Sequence, residues 1–131
     1  MTNPERMRAM WQDNAALRHS VALLATGLLA AIIAWLTLSP PKQHVDGILS
    51  DKAYHAIAFA ALALPCAVLY ARALTWTMPI AALFGAAIEL IQPIVGRSAE
   101  TADFVADLVG LAIGVALGLF LRAKIQSFVS R

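Results

Sequence analysis

The chain of 131 residues is 60% hydrophobic and only 14% charged, whereas soluble domains are about 45–50% apolar and about a quarter charged. Its polar residues are too few to cover its apolar surface, so a soluble globular class is excluded and an integral membrane protein is predicted. A net charge of +2 without a basic stripe argues against nucleic-acid binding, and the single Cys66 excludes an internal disulfide or a CxxC site.

Long apolar runs predict one membrane domain, residues 1–131, that folds as an all-α bundle of four transmembrane helices. The predicted spans are residues 20–39, 54–72, 76–95 and 103–121. The first run is longer than a signal-peptide core and is predicted to be retained as a helix. Ahead of it, Met7, Met10, Trp11 and Leu17 fall roughly on one face, which favours a short interfacial N-terminal helix, although a frayed terminus is the alternative.

Lysine and arginine are distributed unevenly between the two predicted sides of the membrane. One side carries seven of them and the other three, so both termini are expected to face the cytoplasm, with the protein in the cytoplasmic (inner) membrane. The seven are Arg6, Arg8, Arg18, Arg72, Arg122, Lys124 and Arg131, and the three are Lys42, Lys52 and Arg97.

Polar side chains interrupt the outer ends of the last three spans. Asp51 and His55 are one helical turn apart, as are Asp103 and Asp107, while Glu89 and Gln92 are three residues apart. Ionised groups that face lipid are costly, so these residues should turn inward to one outward-facing pocket, with Lys52 and Arg97 as the counter-charges. The candidate ligand-binding residues are therefore Asp51, Lys52, His55, Glu89, Gln92, Arg97, Asp103 and Asp107.

Each of these groups also has a purely structural interpretation. His55 would then bond Asp51, Glu89 would be a protonated group bonded to Gln92, Arg97 would neutralise Asp103, and Asp107 would be a helix-packing group. The stripe Gly110, Gly114 and Gly118 is expected to let a neighbouring helix approach closely. His44 and Glu100 are expected to be solvated loop residues.

The ordered set resembles the VanZ-like family, whose members combine a DK-x-x-H mouth, a glycine before E-x-x-Q, an arginine, and D-x-x-x-N-x-x-G-x-x-x-G. The matching residues are Asp51, Lys52, His55, Phe59, Gly85, Glu89, Gln92, Arg97, Asp103, Gly110 and Gly114. The similarity covers roughly residues 51–118, and the chain departs from the pattern at Asp107, where the family has asparagine. The resemblance implies a cell-envelope protein related to glycopeptide resistance, specifically resistance to the lipoglycopeptide teicoplanin.

Three classes of function remain open. The first is a module that binds or translocates a membrane lipid headgroup, an isoprenoid-linked intermediate or a lipoglycopeptide. The second is an enzyme, a hydrolase or phosphotransferase acting on a lipid headgroup, with His55, Glu89 and Asp103 as catalytic groups or as ligands of a divalent metal. The third is a scaffold with helix-mediated partners or a homo-oligomer. The sequence carries no tight metal-ligand motif such as HExxH, so no metal site is assigned, and the cofactors are left unknown.

Overall fold

The computed structural model describes residues 3–40 and 48–130, and this part of the chain is helical without strands. The helices are α1 (Pro4–Asp13), α2 (Ala15–Leu38), α3 (Asp51–Leu69), α4 (Leu74–Ile91) and α5 (Thr101–Val129). Two short 3₁₀ helices, Ala71–Ala73 and Gln92–Val95, extend the two ends of α4. Four segments are long and apolar enough to cross a membrane, namely Ala15–Leu38, Asp51–Leu69, Ala71–Val95 and Thr101–Val129. The predicted all-α four-span class is confirmed.

The helices extend beyond several of the predicted spans. The helix of the first span starts at Ala15, before Arg18, and that of the last continues past Arg122 to Val129. Long basic side chains stay compatible with a helix near an interface, since their apolar stems lie along it while their charged ends reach water. The second span starts at Asp51 because the Ser50 side chain accepts a hydrogen bond of 3.2 Å from the Ala53 backbone N–H.

The N-terminal helix exists over the predicted stretch, since α1 covers Pro4–Asp13. Of the residues proposed for its apolar face, Leu17 belongs to α2 instead. The side chains of Met7, Met10 and Trp11 lie outside the described part of the structure. His44 and Lys42 also lie outside the described residues.

The tightest packing is between α3 and α5, at the predicted glycine stripe. A Cβ atom at Gly110 would overlap the carbonyl oxygen of Ala56, and one at Gly114 would overlap that of Ala60. Gly118 lies equally close to the side chain of Ala67. Because Gly110 and Gly114 have no side chain, the backbones of α3 and α5 are in direct contact at these positions, and α2 and α4 pack on this pair. The stripe is confirmed as a packing surface.

The apolar core lies between α2, α3, α4 and α5. Phe59 and Leu62 of α3 are buried at its centre against Ile33 of α2, Ile88 of α4 and Leu111 of α5. At one end of the bundle, Arg122 donates a hydrogen bond of 2.9 Å to the carbonyl oxygen of Val68, in the last turn of α3. The polar residues of the predicted pocket lie at the opposite end.

Candidate functional site

Four helix ends meet at one end of the bundle, because successive helices run in opposite directions. The starts of α3 and α5 lie beside the end of α4, and the end of α2 joins them through Thr37. Between α4 and α5 the chain reverses at Gly96, whose φ of 79° is a backbone conformation that side-chain-bearing residues rarely adopt. This turn places Arg97 and Glu100 over the same end of the bundle.

The centre of the site is a buried pair formed by His55 and Asp107. The Nδ1 atom of His55 is 2.8 Å from Oδ1 of Asp107, and the two residues are 5% and 0% exposed. With a proton on Nδ1, the imidazole donates to the carboxylate, which fixes its orientation and leaves Nε2 for another partner. The expectation that His55 is oriented by Asp51 was wrong. Asp107 holds it from the neighbouring helix.

The other carboxylate of α5, Asp103, lies on the opposite side of the imidazole. Its Oδ2 atom is 4.0 Å from Nε2 of His55 and its Oδ1 atom is 3.7 Å from the Lys52 ammonium nitrogen. Lys52 is closer to Glu100, at 2.8 Å, and this hydrogen-bonded cation lowers the pKa of the Glu100 carboxyl below its ordinary value. Lys52, not Arg97, is therefore the counter-charge of Asp103. Glu100 is exposed and lies in the loop before α5, as predicted, but it also joins the site through its bond to Lys52.

Glu89 and Gln92 lie at the same end of α4. The hydrogen bond between them that the structural interpretation expected is not formed, because each has another partner. Glu89 accepts a hydrogen bond of 3.0 Å from the backbone N–H of Glu100, which ties α4 to the start of α5. Gln92 is buried and donates a 3.4 Å hydrogen bond to the carbonyl oxygen of Thr37, at the end of α2. Both residues therefore fix helix ends around the His55–Asp107 pair.

The backbone of α4 approaches this pair closely at Gly85. A Cβ atom there would lie 2.9 Å from Oδ2 of Asp107 and 3.2 Å from the Phe59 ring. A side chain at this position would therefore push the Asp107 carboxylate away from the imidazole. The glycine before Glu89 is required by the site rather than by a turn.

Buried oxygen atoms without a hydrogen bond lie at this end of the bundle. Among the described residues they are Oε1 of Glu89, Oε1 of Gln92, Oδ1 of Asp103 and Oδ2 of Asp107. Buried acceptors are normally paired, because removal from water without a partner is costly. The site therefore has an excess of acceptors over donors, which a cation or a donor-bearing ligand would satisfy.

Two groups at the site have the composition of a metal centre. Asp51, His55 and Asp103 each offer one ligand atom within 4.8 Å of the others, and so do His55, Glu89 and Asp107. The set considered from sequence, His55 with Glu89 and Asp103, combines members of both groups. The Nδ1 atom of His55 already pairs with Asp107, so the first group is the one that uses the free Nε2 atom.

A cavity of about 380 Å³ opens between α2 and α3 beside the buried cluster. Its apolar wall is formed mainly by Ile33, Leu36, Ile57 and Phe59. Its polar lining comprises Thr37, Asp51, Tyr54, His55 and Arg97. The Arg97 guanidinium makes no ion pair with another described residue, so its expected role as partner of Asp103 was wrong. It lines the cavity instead.

The eight residues predicted from the sequence thus gather at one end of the bundle, but as two connected parts. The buried part is the His55 cluster with Glu89, Gln92, Asp103 and Asp107, and the open part is the cavity with Asp51 and Arg97. Lys52 lies at the edge of the buried part, beside Glu100 and Asp103. The sequence prediction missed Glu100 and Thr37. An acid three residues before Asp103 and directly before a helix was a usable signal for Glu100, whereas Thr37 contributes only a backbone carbonyl and leaves no pattern.

Comparison with models of known families, with curated proteins and with solved structures gives no match.

Proposed function

We propose that the protein binds a membrane amphiphile with an anionic headgroup, holding the headgroup at Arg97 and the tail along the cavity between α2 and α3. The observation that carries this proposal is the lining of that cavity, which is apolar along the helices and polar at one end. Its volume of about 380 Å³ falls within the range of small-molecule sites, about 300–1,000 Å³. A lipid phosphate or an isoprenoid phosphate has this same division into a charged head and an apolar tail.

Arg97 is the group best placed to recognise the headgroup. Lys52, the other cation at this end among the residues that the structure describes, is held by Glu100 at 2.8 Å and by Asp103 at 3.7 Å. Arg97 has no such partner among the described residues, and a guanidinium binds phosphate oxygens in pairs. The hydroxyl of Tyr54 and the Asp51 carboxylate, at the same end, would orient donors of a sugar or glycerol headgroup.

The resemblance to the VanZ-like family supports the same class of ligand, since a lipoglycopeptide also joins a polar body to an apolar tail. The charge distribution supports a cytoplasmic-membrane protein with the cavity facing outward and both termini in the cytoplasm. Cysteine labelling tests this orientation, because the native Cys66 is fully buried. In intact cells a membrane-impermeant maleimide should label Ser98→Cys and should label Ser127→Cys only after permeabilisation.

Native mass spectrometry of the detergent-purified protein, incubated with phosphatidylglycerol and with undecaprenyl phosphate, tests the binding proposal. Arg97→Gln should lower the bound fraction at least tenfold, whereas the matched control Arg72→Gln, at the other end of the bundle, should bind like the wild type. Ala58→Trp should block the cavity, and Ala87→Trp on the exposed face of α4 should not. Equal binding by all four variants would refute the site.

A second candidate function is hydrolysis or transfer of the headgroup, favoured by the buried His55–Asp107 pair. A carboxylate 2.8 Å from Nδ1 is the arrangement that orients a histidine as a general base, with Nε2 as the basic atom. Release of phosphate from an isoprenoid diphosphate, at a rate reduced at least a hundredfold in His55→Gln and unchanged in Arg72→Gln, would establish it. An absence of turnover with tight binding would leave the binding function alone.

A further inference from the structure

We infer that the protein holds one divalent transition-metal ion, of the Zn²⁺ or Mn²⁺ class, between His55, Asp103 and Asp51. The inferred ligands are Nε2 of His55 and one carboxylate oxygen from each aspartate. This site shares Asp51 and His55 with the lining of the amphiphile cavity, but it needs no amphiphile, since its ligands are positioned by the starts of α3 and α5.

The imidazole is arranged as metal-bound histidines are. In such sites the ring nitrogen that does not touch the metal donates to a carboxylate, which fixes the tautomer and points the other nitrogen at the ion. Asp107, fully buried and 2.8 Å from Nδ1, is that carboxylate. Nε2 makes no hydrogen bond with another described residue and faces Oδ2 of Asp103 at 4.0 Å.

The carboxylates around the imidazole supply an independent indication of a cation. Asp103 is only 3% exposed, and its Oδ1 atom accepts no hydrogen bond from the described residues. Oδ2 of Asp107 is likewise buried without a donor. Within residues 3–40 and 48–130, five carboxyl groups lie at this end, against one amine (Lys52), one guanidinium (Arg97) and the imidazole. The five belong to Asp51, Glu89, Glu100, Asp103 and Asp107. A divalent ion offsets the excess of acidic groups.

The distances require only a small adjustment. Metal–nitrogen and metal–oxygen bonds of about 2.1 Å place two ligand atoms of a tetrahedral ion about 3.4 Å apart, compared with 4.0 Å between Nε2 and Oδ2 here. The third ligand, Asp51, is exposed and lies in the first turn of α3, so its side chain is free to close on the ion. Its exposure also gives the ion access, and Lys52 remains bonded to Glu100.

The ligand chemistry selects the class of ion. One imidazole nitrogen and two carboxylates suit Zn²⁺ or Mn²⁺, whereas Mg²⁺ and Ca²⁺ prefer sites built from oxygen alone. Three protein ligands leave at least one coordination position for water or for a headgroup oxygen.

The test is metal content after the purified protein, carrying no histidine tag, is stripped with a chelator and dialysed against Zn²⁺ or Mn²⁺. Wild type should retain one ion per chain, and His55→Gln and Asp103→Asn should lose it. Asp13→Asn, which removes a carboxylate far from the site, is the matched control and should retain the ion. Asp107→Asn should bind about 10–100-fold more weakly, as expected for a residue that positions a ligand.

Two further measurements keep the inference falsifiable if the variants fold poorly. The electron paramagnetic resonance spectrum of wild type with Mn²⁺ should show coupling to one ¹⁴N nucleus, as a histidine ligand requires. Arg97→Gln should keep the metal while losing the amphiphile, so the two proposals can fail separately. No stoichiometric metal in wild type, no nitrogen coupling, or equal metal content in His55→Gln would overturn the inference.

Discussion

Replacing Gly110 by alanine should destabilise the bundle, because a Cβ atom there would overlap the carbonyl oxygen of Ala56. This oxygen belongs to the backbone of α3 and cannot rotate away, so α3 and α5 must move apart. Overpacking of this kind costs about 1–3 kcal/mol, while alanine gains about 1 kcal/mol over glycine in helix propensity. The expected net loss is up to about 2 kcal/mol in the free energy of unfolding.

The assay is a reversible SDS titration of the detergent-solubilised protein, followed by circular dichroism. Gly27→Ala in α2 is the matched control, since no described atom lies within 4 Å of the Cβ position at Gly27. It should leave stability unchanged or raise it by up to about 1 kcal/mol. If Gly110→Ala were as stable as Gly27→Ala, the close contact between α3 and α5 would be refuted, and with it the frame that joins His55 to Asp107.

Three further predictions concern the polar end of the bundle. Ser50→Ala removes the N-cap of α3 and should cost about 0.5–2 kcal/mol in the same titration; no loss would contradict the cap. Asp107→Asn keeps an acceptor for His55, so it should be at least about 1 kcal/mol more stable than Asp107→Ala, which leaves the imidazole unpaired; equal stabilities would contradict the buried hydrogen bond. The lowered pKa of Glu100 means that its pair with Lys52 stabilises the fold above its ordinary pKa of 4.5 and that this contribution is lost as the pH falls below that value. Because both side chains are about half exposed, this dependence should be small, should weaken in salt and should be absent in Glu100→Gln.

The fold could be predicted from the sequence because a membrane-spanning helix appears there as one continuous run of apolar residues of sufficient length. Apolar length alone located four helices, and the small-residue spacing Gly110, Gly114 and Gly118 identified the face of α5 that packs. The exact ends could not be found in this way. A charge such as Arg122 is compatible with a continuing helix, whereas the start at Asp51 depends on a side-chain cap at Ser50.

The membership of the site could be predicted but its pairing could not. Charged groups are costly in lipid, so His55, Asp103 and Asp107 were predicted to lie together at one end of the bundle. This prediction did not require knowing which of them form pairs. Which carboxylate meets Nδ1 depends on the rotation and depth of α5 against α3, and the close glycine contacts set both. The spacing of residues along one helix suggested Asp51 as the partner of His55, because both residues lie in α3. The same spacing could not suggest Asp107, because Asp107 lies in a different helix, α5.

Whether Arg97 has an ion-pair partner also could not be predicted from the sequence. Its charge suggested a neighbouring acid, and Asp103 was the obvious choice in the sequence. Lys52, not Arg97, is the cation next to Asp103, because it lies in the first turn of α3, beside the start of α5. Arg97 lines the cavity instead, which leaves ligand binding, the other role considered from the sequence, as its candidate function.

The most direct test of the amphiphile site is photo-crosslinking of the wild-type protein with a phospholipid whose acyl chain carries a diazirine, followed by peptide mapping. The site described here predicts labelling concentrated on α2 and α3, at residues around Leu36 and Ile57, and loss of that labelling in Arg97→Gln but not in Arg72→Gln. Labelling spread evenly over the lipid-facing surfaces of all four spans, or labelling unchanged in Arg97→Gln, would contradict a headgroup site at this end of the bundle.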